Sequence, residues 1–316
     1  MTTATTTRRT FIGTGALGAL SLGLAACGGG GSSTTAADTR TIKTAKGPVK
    51  VPAEPTRVVS IQPSTADTLY DLGVDPIGVY DLGAQYVSPR YRAKWTKAAK
   101  VGSGEIEVEK VAELEPDLII GADYEWNTDV YGRLKSIAPT VIAPATGWRE
   151  ISHATADAVN RLAKLAELQK ELATRSAQIR VKFARQLEAY KWDILQGGFE
   201  PGNFWLYGPE CDAGEILAGA GVRFAPASAG VSGEEGEALS YEKIGVLRDA
   251  DVIGFYSNFD GSPNNEGPAL FAQGAFKQLP AVRAGRTVPF PDFLPGGYGD
   301  ALAVLDELEA GLKKLP

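Results

Sequence analysis

The sequence predicts an α/β protein of two lobes, each with a central, mainly parallel sheet flanked by helices, bridged by one long helix. Two observations lead to this fold class. Short β-branched runs alternate with helix-like segments along most of the 316 residues, an order typical of parallel sheets covered by helices. Residues 150–190 interrupt the alternation and contain neither proline nor glycine, which indicates a helical span between two such lobes.

The first lobe is expected over residues 55–148. Apolar runs predict strands at residues 57–61, 74–80, 118–121 and 141–143, and helix-like segments lie at residues 64–72, 108–114 and 130–137. Pro63 and Gly73 bound the first of these helices, since proline favours helix starts and glycine favours helix ends.

The bridge is expected over residues 149–190 and the second lobe over residues 191–316. Apolar residues recur in the bridge at three- and four-residue spacing from Ile151 to Leu187, which predicts one shorter helix followed by one long one. A coiled coil is disfavoured because the repeat is not sustained over enough heptads. Strand and helix signals then resume at residues 192–195, 204–207, 215–220, 241–247, 252–256, 287–289 and 299–314.

The N-terminus has the order of an export signal. Arg8 and Arg9 precede an uncharged, glycine-interrupted apolar stretch at residues 11–26, which is short for a membrane-spanning helix. The start, TRRTFIG, resembles a twin-arginine signal, and LAAC resembles a lipobox with Cys27 as the lipidated residue. The prediction is a signal over residues 1–26, then a lipidated cysteine and flexible tether over residues 27–54. The alternative is a soluble secretory signal with an accidental cysteine.

Composition argues against several functions. A formal charge of −6 with scattered basic residues disfavours nucleic-acid binding. His153 is the single histidine, so neither a transition-metal site nor a Cys–His nucleophile is expected. Cys211 lies at a predicted helix start, which could lower its pKa and leaves a reactive thiol as a minor alternative. No enzyme, no resident cofactor and no disulfide are therefore predicted.

Six segments in a fixed order resemble class III periplasmic-type binding proteins of ABC importers, in the branch that carries ferric siderophores. They are TRVVSIQPSTADTLYDLGVDPIGV, VEKVAELEPDLIIGADY, LKSIAPTVI, YGPECDAGEILAGAGV, LSYEKIGVLRDADVIGF and AFKQLPAVRAGRTVPF, within residues 55–314. The resemblance implies a ligand cleft between the lobes, lined by loops at the carboxyl ends of the strands. The general rule for open α/β sheets predicts the same location.

Loops after the predicted strands supply the candidate ligand-binding residues. Gln62 lies in the first of these loops, and the loop aromatics are Tyr86, Tyr124, Trp126, Trp148, Phe259, Phe293 and Tyr298. A single loop aromatic is more often scaffold than ligand contact, but seven on one rim indicate a lined pocket.

The resemblance implies that Tyr124 lines the pocket and that Phe293, with Tyr298 beyond it, closes the far side. Ser103 and Gly104 stand where hydroxamate binders of this type have an arginine aimed at the iron-binding oxygens. Arg90 or Arg92 could replace that arginine, or each could be a solvated surface charge.

The predicted ligand is an Fe(III)-trihydroxamate, which already encloses its iron in oxygens. A triscatecholate complex is strongly anionic and would need several converging arginines. The acidic run Glu234, Glu235 and Glu237 is either a solvated face or a cleft mouth that favours a cationic ligand such as a ferrioxamine. The resemblance also implies docking to an ABC permease through Asp129 and Glu242, with Asp67 and Glu215 as runners-up.

The prediction is thus a monomeric, lipid-anchored receptor on the extracytoplasmic face of the cell membrane. It would capture the complex and deliver it to a permease and its ATPase. The alternatives are a cobalamin or haem receptor of the same family and, from a different class, a surface hydrolase.

Overall fold

The computed structural model describes residues 38–233 and 235–316, which form one compact unit. The predicted signal, the lipidation site Cys27 and Glu234 lie outside the described residues. Within the described part, no helix combines the length and apolar character needed to cross a bilayer.

The described chain begins with an antiparallel hairpin of β1 (Thr39–Thr44) and β2 (Gly47–Pro52). Ile42 and Val51 bury their side chains in the central core, and Arg40 forms an ion pair of 2.9 Å with Asp157. The prediction of a flexible tether through residue 54 is therefore wrong for residues 39–52. Alternating apolar residues give this segment a buried face, which a linker would lack.

The first lobe has a five-stranded parallel sheet and a separate two-stranded hairpin. The strands are β3 (Val58–Ser60), β4 (Gly78–Val79), β5 (Ala99–Lys100), β6 (Gly102–Ser103), β7 (Glu105–Ile106), β8 (Leu118–Ala122) and β9 (Thr140–Ala143). The sheet has the order β5-β4-β3-β8-β9, and β6 pairs with β7. All residues of β8 and β9 are buried, as expected for parallel strands covered on both faces.

Four helices and one short 3-10 turn belong to this lobe. They are α1 (Pro63–Asp71), the turn Ala84–Tyr86, α2 (Pro89–Lys97), α3 (Val108–Glu113) and α4 (Glu125–Leu134). Arg90 and Arg92 lie in the first turn of α2, which begins at Pro89 because proline suits the first helical position, where its missing N–H costs nothing.

The bridge consists of α5 (Trp148–Ala158), α6 (Leu162–Lys182) and α7 (Ala184–Ala189). The prediction of a shorter helix followed by a long one is confirmed, with an additional break at Phe183. The 21-residue helix α6 packs on α5 of the bridge and on the next helix of the second lobe, α8 (Asp212–Gly219).

The second lobe has a mixed sheet. Its strands are β10 (Lys191–Gly197), β11 (Asn203–Tyr207), β12 (Arg223–Phe224), β13 (Glu237–Ser240), β14 (Val252–Tyr256) and β15 (Thr287–Phe290). The order is β13-β11-β10-β14-β15, with β12 also beside β10. The pairs of β10 with β11 and β11 with β13 are antiparallel, and the others are parallel.

The remaining helices of this lobe complete the chain. They are α9 (Pro226–Ala229), a 3-10 segment Tyr241–Asp249, α10 (Gly267–Ala272), α11 (Gly274–Lys277), α12 (Pro280–Arg283) and α13 (Tyr298–Leu312). Helix α13 packs against α1, α6, α8 and β15. The hydrophobic cluster around these helices therefore extends from Ile120 in the first lobe through Leu172 of the bridge to Phe290 in the second.

Candidate functional site

The carboxyl ends of parallel strands from both lobes meet at one cavity, here called the interlobe cavity. The loops after β14 and β15 reach it from the second lobe, while α1 and the segment after β4 reach it from the first. Its lining residues are Asp67, Gln85, Tyr86, Ser88, Tyr256, Ser257, Asn258, Phe259, Asn264, Pro291, Asp292, Leu294 and Asp300. The solvent volume is only about 50 Å³, so this space accepts a small group and not a whole bulky ligand.

Arg90 of α2 connects the lobes beside this cavity. Its two terminal nitrogens each donate a hydrogen bond of 3.0 Å to Asp292, one to each carboxylate oxygen. It also forms an ion pair with Asp300 at the start of α13. The guanidinium, expected to face a ligand or solvent, is therefore engaged by two carboxylates of the other lobe.

Carboxyl groups outnumber cations in this region. Burial, followed by the charges of Asp300 and Asp71, raises the pKa of Asp67 well above its usual range. Burial and the neighbouring Asp292 raise the pKa of Asp300 to about 8 and that of Glu307 to about 9. These acids therefore keep their protons to higher pH, and a cation that entered the cavity would offset the cost of ionising them.

The lobes also meet where α1 contacts residues 296–299. The α1 residues in this contact are Asp67, Thr68 and Asp71. The hydroxyl of Thr68 donates to the Gly296 carbonyl at 3.1 Å, and the Gly299 N–H donates to Asp71 at 2.8 Å. A Cβ at residue 296 would overlap Asp67, and one at 297 or 299 would overlap Asp71. Glycine at these positions lets the backbone approach the Asp67 and Asp71 carboxylates and, at residue 299, the Tyr91 hydroxyl.

An aromatic pair lies at the same edge of the first-lobe sheet, after β8. The rings of Tyr124 and Trp126 stack at 4.9 Å with an interplanar angle of 2°. The indole N–H of Trp126 donates to the Gln62 side-chain oxygen at 3.2 Å, and the Asn127 amide donates to the same atom. Trp126 remains 46% exposed, so the pair presents a positioned aromatic face to solvent.

Further apolar side chains are exposed around the cavity. Tyr86 and Leu294 line it from opposite lobes and are 51% and 54% exposed, and Leu82 precedes Tyr86 in the same loop. Phe259 lines the cavity as well, with the guanidinium of Arg92 at 5.9 Å from its ring centre. An exposed apolar rim around a polar interior is typical of a site for an amphipathic ligand.

Comparison with known proteins identifies the fold. The profile of the family described as periplasmic binding protein matches residues 58–292. The chain belongs to this family. The predicted family and the two-lobe α/β fold class are confirmed.

Individual members of the family are similar over most of their length. The petrobactin-binding protein YclQ of Bacillus subtilis is 32% identical over 318 residues, covering 92% of this chain and 95% of the relative. The probable siderophore-binding lipoprotein YfiY of Bacillus subtilis is 28% identical, covering 90% of this chain and 93% of the relative. The siderophore periplasmic binding protein from the fuscachelin gene cluster of Thermobifida fusca superimposes with a TM-score of 0.73. It has 29% identity, and the match covers 84% of this chain and 99% of that one.

Three candidate ligand residues of this binding protein lie in the core. Phe293 is 1% exposed and packs against Tyr207 and Tyr256. Trp148 and Tyr298 are 4% and 3% exposed and contact each other edge to face at 4.8 Å. The expectation that they face the ligand is not met in this structure, because each ring is covered where the bridge or the second-lobe sheet packs.

The other candidates lie in several separate places. Tyr86 and Phe259 line the interlobe cavity, whereas Gln62, Tyr124 and Trp126 form the stacked group after β8. Ser103 lies exposed in the β6–β7 hairpin. Asp129 and Glu242 are exposed, on α4 and on the 3-10 segment of the second lobe.

Neither a reactive thiol nor a metal centre emerges from the described residues. Cys211 is buried at the start of α8, its sulfur accepts the Gly214 N–H, and burial raises its pKa to about 12. The possibility that the helix start activates this thiol is therefore wrong. Across residues 38–233 and 235–316, no group of three or more His, Cys, Asp or Glu side chains could hold a metal ion.

Sequence reasoning missed the polar residues of the cavity wall. Ser88, Ser257 and Asp300 were not singled out, and Asp67 appeared only as a runner-up for docking, yet all four line the cavity. Their positions after strands or near helix starts were the available signal. Small polar residues are common in loops, so that signal does not distinguish them from ordinary turn residues.

Proposed function

We propose that the protein captures an Fe(III)-siderophore, of trihydroxamate type, and delivers it unchanged to an ABC permease. The observation that carries this proposal is the cleft edge itself. Exposed aromatic and aliphatic side chains from both lobes surround an acidic interior, in a family whose similar members include siderophore-binding proteins. Trp126, Tyr86 and Leu294 would contact the apolar shell of the complex, since aromatic walls suit such ligands.

The charge of the cavity supports a hydroxamate complex over a triscatecholate. Among the described residues that line the cavity there is no lysine or arginine, while Asp67, Asp292 and Asp300 are present. The nearby Arg90 already binds two of these carboxylates. A strongly anionic complex would find no lysine or arginine on this wall and would further disfavour ionisation of Asp67 and Asp300.

Delivery would use the exposed carboxylates Asp129 and Glu242, one on each lobe, as contacts for a permease and its ATPase partner. Both side chains are accessible, as docking to a larger assembly requires. Cys27 would carry a lipid that holds the monomeric receptor on the extracytoplasmic face of the cell membrane. Named lipoproteins among the similar proteins support this location.

Two other functions remain as test outcomes. A cobalamin or haem receptor would use the same cleft between lobes. A surface hydrolase would need a positioned nucleophile and base, and the most nucleophilic candidate, Cys211, is buried with a raised pKa.

The test is a titration of the purified protein, followed by intrinsic tryptophan fluorescence, because Trp126 lies at the proposed site. We expect saturable quenching by ferric trihydroxamates at micromolar or lower concentration. Ferric triscatecholates, cobalamin and haem serve as the competing ligands. Binding of cobalamin or haem without any response to hydroxamates would overturn the substrate class, and turnover of an ester or glycoside would overturn the non-enzymatic function.

A further inference from the structure

Two serine hydroxyls in the interlobe cavity have no partner in the protein. Ser88 from the first lobe and Ser257 from the second both line the cavity, and they are 7% and 1% exposed. Within the described chain, neither Oγ atom makes a hydrogen bond. A buried hydroxyl without a partner costs about 1–3 kcal/mol, so both Oγ atoms are available to accept hydrogen bonds from a group that enters the cavity.

The carboxylates in the same cavity define the charge of that group. Asp67, Asp292 and Asp300 line the cavity together with the two serines. Arg90 bonds to Asp292 and Asp300, and Asp67 has no such bond to it among the described contacts. An entering cation would favour ionisation of Asp67, which has no Arg90 bond to offset its burial, whereas an entering anion would disfavour that ionisation.

The size and donor count favour one kind of cation. The cavity holds about 50 Å³, which accommodates a compact head group and excludes a large ring system. A primary ammonium has three N–H donors and no acceptor. One carboxylate and two hydroxyls can accept these three hydrogen bonds, and the exposed residues Tyr86 and Leu294 mark the opening through which an alkyl chain would pass.

We propose that the interlobe cavity is a subsite for the primary ammonium end of the ligand, bound by Asp67, Ser88 and Ser257. This inference rests on the proposed function and narrows its substrate class to ferric hydroxamates that carry a free amine. The iron-bearing body of the complex then lies outside the cavity, against the apolar rim.

The protonation of the cavity acids agrees with this assignment. The titratable groups around the cavity are Asp67 and Asp71 on α1, Arg90 and Tyr91 on α2, Tyr86, Tyr256, Asp292, and Asp300 and Glu307 on α13. Burial raises the pKa of Asp67 and of Asp300, the latter to about 8. A bound ammonium favours the ionised carboxylates, so binding should release protons near pH 7.

The experiment compares two forms of one ligand, a linear ferric trihydroxamate with a terminal primary amine and its N-acetylated derivative. The derivative keeps the iron centre, loses the charge and two of the three N–H donors, and gains an acetyl group. We expect the wild type to bind the amine form at least about tenfold more tightly than the N-acetylated form. A roughly tenfold difference is the usual contribution of hydrogen bonds to a charged group. Calorimetry in buffers of different ionisation enthalpy should detect proton release for the amine form alone.

Variants test which residues cause the preference for the amine form. Asp67→Asn, and separately the double change Ser88→Ala with Ser257→Ala, should reduce the preference to under about threefold while the N-acetylated ligand binds as to the wild type. Asp260→Asn is the matched control, because Asp260 is an exposed carboxylate in the same loop as Ser257 and bonds to Ser262. It should keep the full preference.

Each outcome has one meaning. Equal affinity of the wild type for both forms would overturn the ammonium subsite and leave the proposed hydroxamate receptor intact. A preference that survives in both cavity variants would also overturn it. Failure of both forms to bind would instead overturn the proposed function.

Discussion

The guanidinium of Arg90 binds the carboxylate of Asp292 through two parallel hydrogen bonds of 3.0 Å, and so ties the first lobe to the second. Asp292 is 8% exposed at its side chain, and bidentate pairs of this kind are both strong and geometrically specific. The same guanidinium is the cation nearest to Asp300. Arg90 is therefore a structural residue of the cleft, whatever ligand the cleft binds.

Replacing Arg90 should destabilise the protein. Arg90→Ala leaves Asp292 and Asp300 buried without their cation, with the Gly296 N–H still bonded to Asp300, and we expect a loss of about 3 kcal/mol in the free energy of unfolding. Arg90→Lys keeps the charge but loses the bidentate geometry. Its free energy of unfolding should therefore lie between those of the wild type and Arg90→Ala. Urea denaturation measures both. Arg133→Ala is the control, because its ion pair with Glu109 is exposed and should contribute less than about 1 kcal/mol.

Glu307 should make stability fall as pH rises. Its folded pKa is raised to about 9, first by burial and then by Asp292, whereas an unfolded glutamate titrates near 4.3. Between these values the folded state keeps a proton that the unfolded state releases, so the free energy of unfolding decreases with pH. Glu307→Gln should make this slope shallower, by up to about 1.4 kcal/mol per pH unit.

Denaturation at pH 5, 7 and 9 measures this slope. Asp306→Asn is the control for loss of charge, because it removes a carboxyl that is 70% exposed on the same helix. Its free energy of unfolding should change with pH as in the wild type. A wild-type slope in Glu307→Gln would contradict the assignment.

The aromatic pair after β8 should contribute to binding and little to stability. Trp126→Ala removes an exposed ring stacked on Tyr124, and we expect ligand affinity to fall about tenfold with little change in melting temperature. Phe199→Ala is the matched control, because Phe199 is 69% exposed and packs on Trp205 in the second lobe. Equal binding by Trp126→Ala and wild type would exclude the pair from the site.

Phe293, in contrast to Trp126, should contribute to stability and little to ligand binding. Its ring is 1% exposed between Tyr207 and Tyr256, so Phe293→Ala creates a core cavity that should cost about 3–5 kcal/mol. Thermal and urea unfolding measure this loss. A stable variant with weakened binding would show instead that the ring contacts the ligand, as its sequence position suggested.

The proposed docking carboxylates should separate binding from transport. Asp129→Asn and Glu242→Gln change exposed side chains, so ligand affinity should stay within about twofold. Uptake of radiolabelled iron complex by cells should fall at least about tenfold, as for the loss of a charge paired across an interface. Glu113→Gln alters an exposed carboxylate on α3 and should not affect uptake. Normal uptake in both docking variants would reject the assignment.

Local patterns predicted most of the fold. The run at residues 252–256 forms β14 with the same bounds, and the glycine-free span became the bridging helices, since apolar periodicity reports directly on burial. The hairpin of residues 39–52 was missed because its lysines, threonines and Gly47-Pro48 resemble a linker. Its alternating Ile42, Val49 and Val51 were the available signal.

The site was predicted in location more than in detail. The rule for strand ends predicts Tyr86 and Phe259 at the edge where the lobes meet, and both line the interlobe cavity. The same rule could not distinguish Phe293, in the core, from Leu294, exposed beside it, because a loop residue's direction depends on what packs behind it. Nor could it pair Arg90 with Asp292, which lies 202 positions away, since that contact exists only after both lobes have folded.

The glycines at 296, 297 and 299 have a consequence for how the molecule unfolds. Because α1 lies directly against this backbone, the two lobes share buried surface that neither can keep alone. The chain should consequently melt in one transition, with equal calorimetric and van't Hoff enthalpies, and Gly297→Ala should split that transition in two.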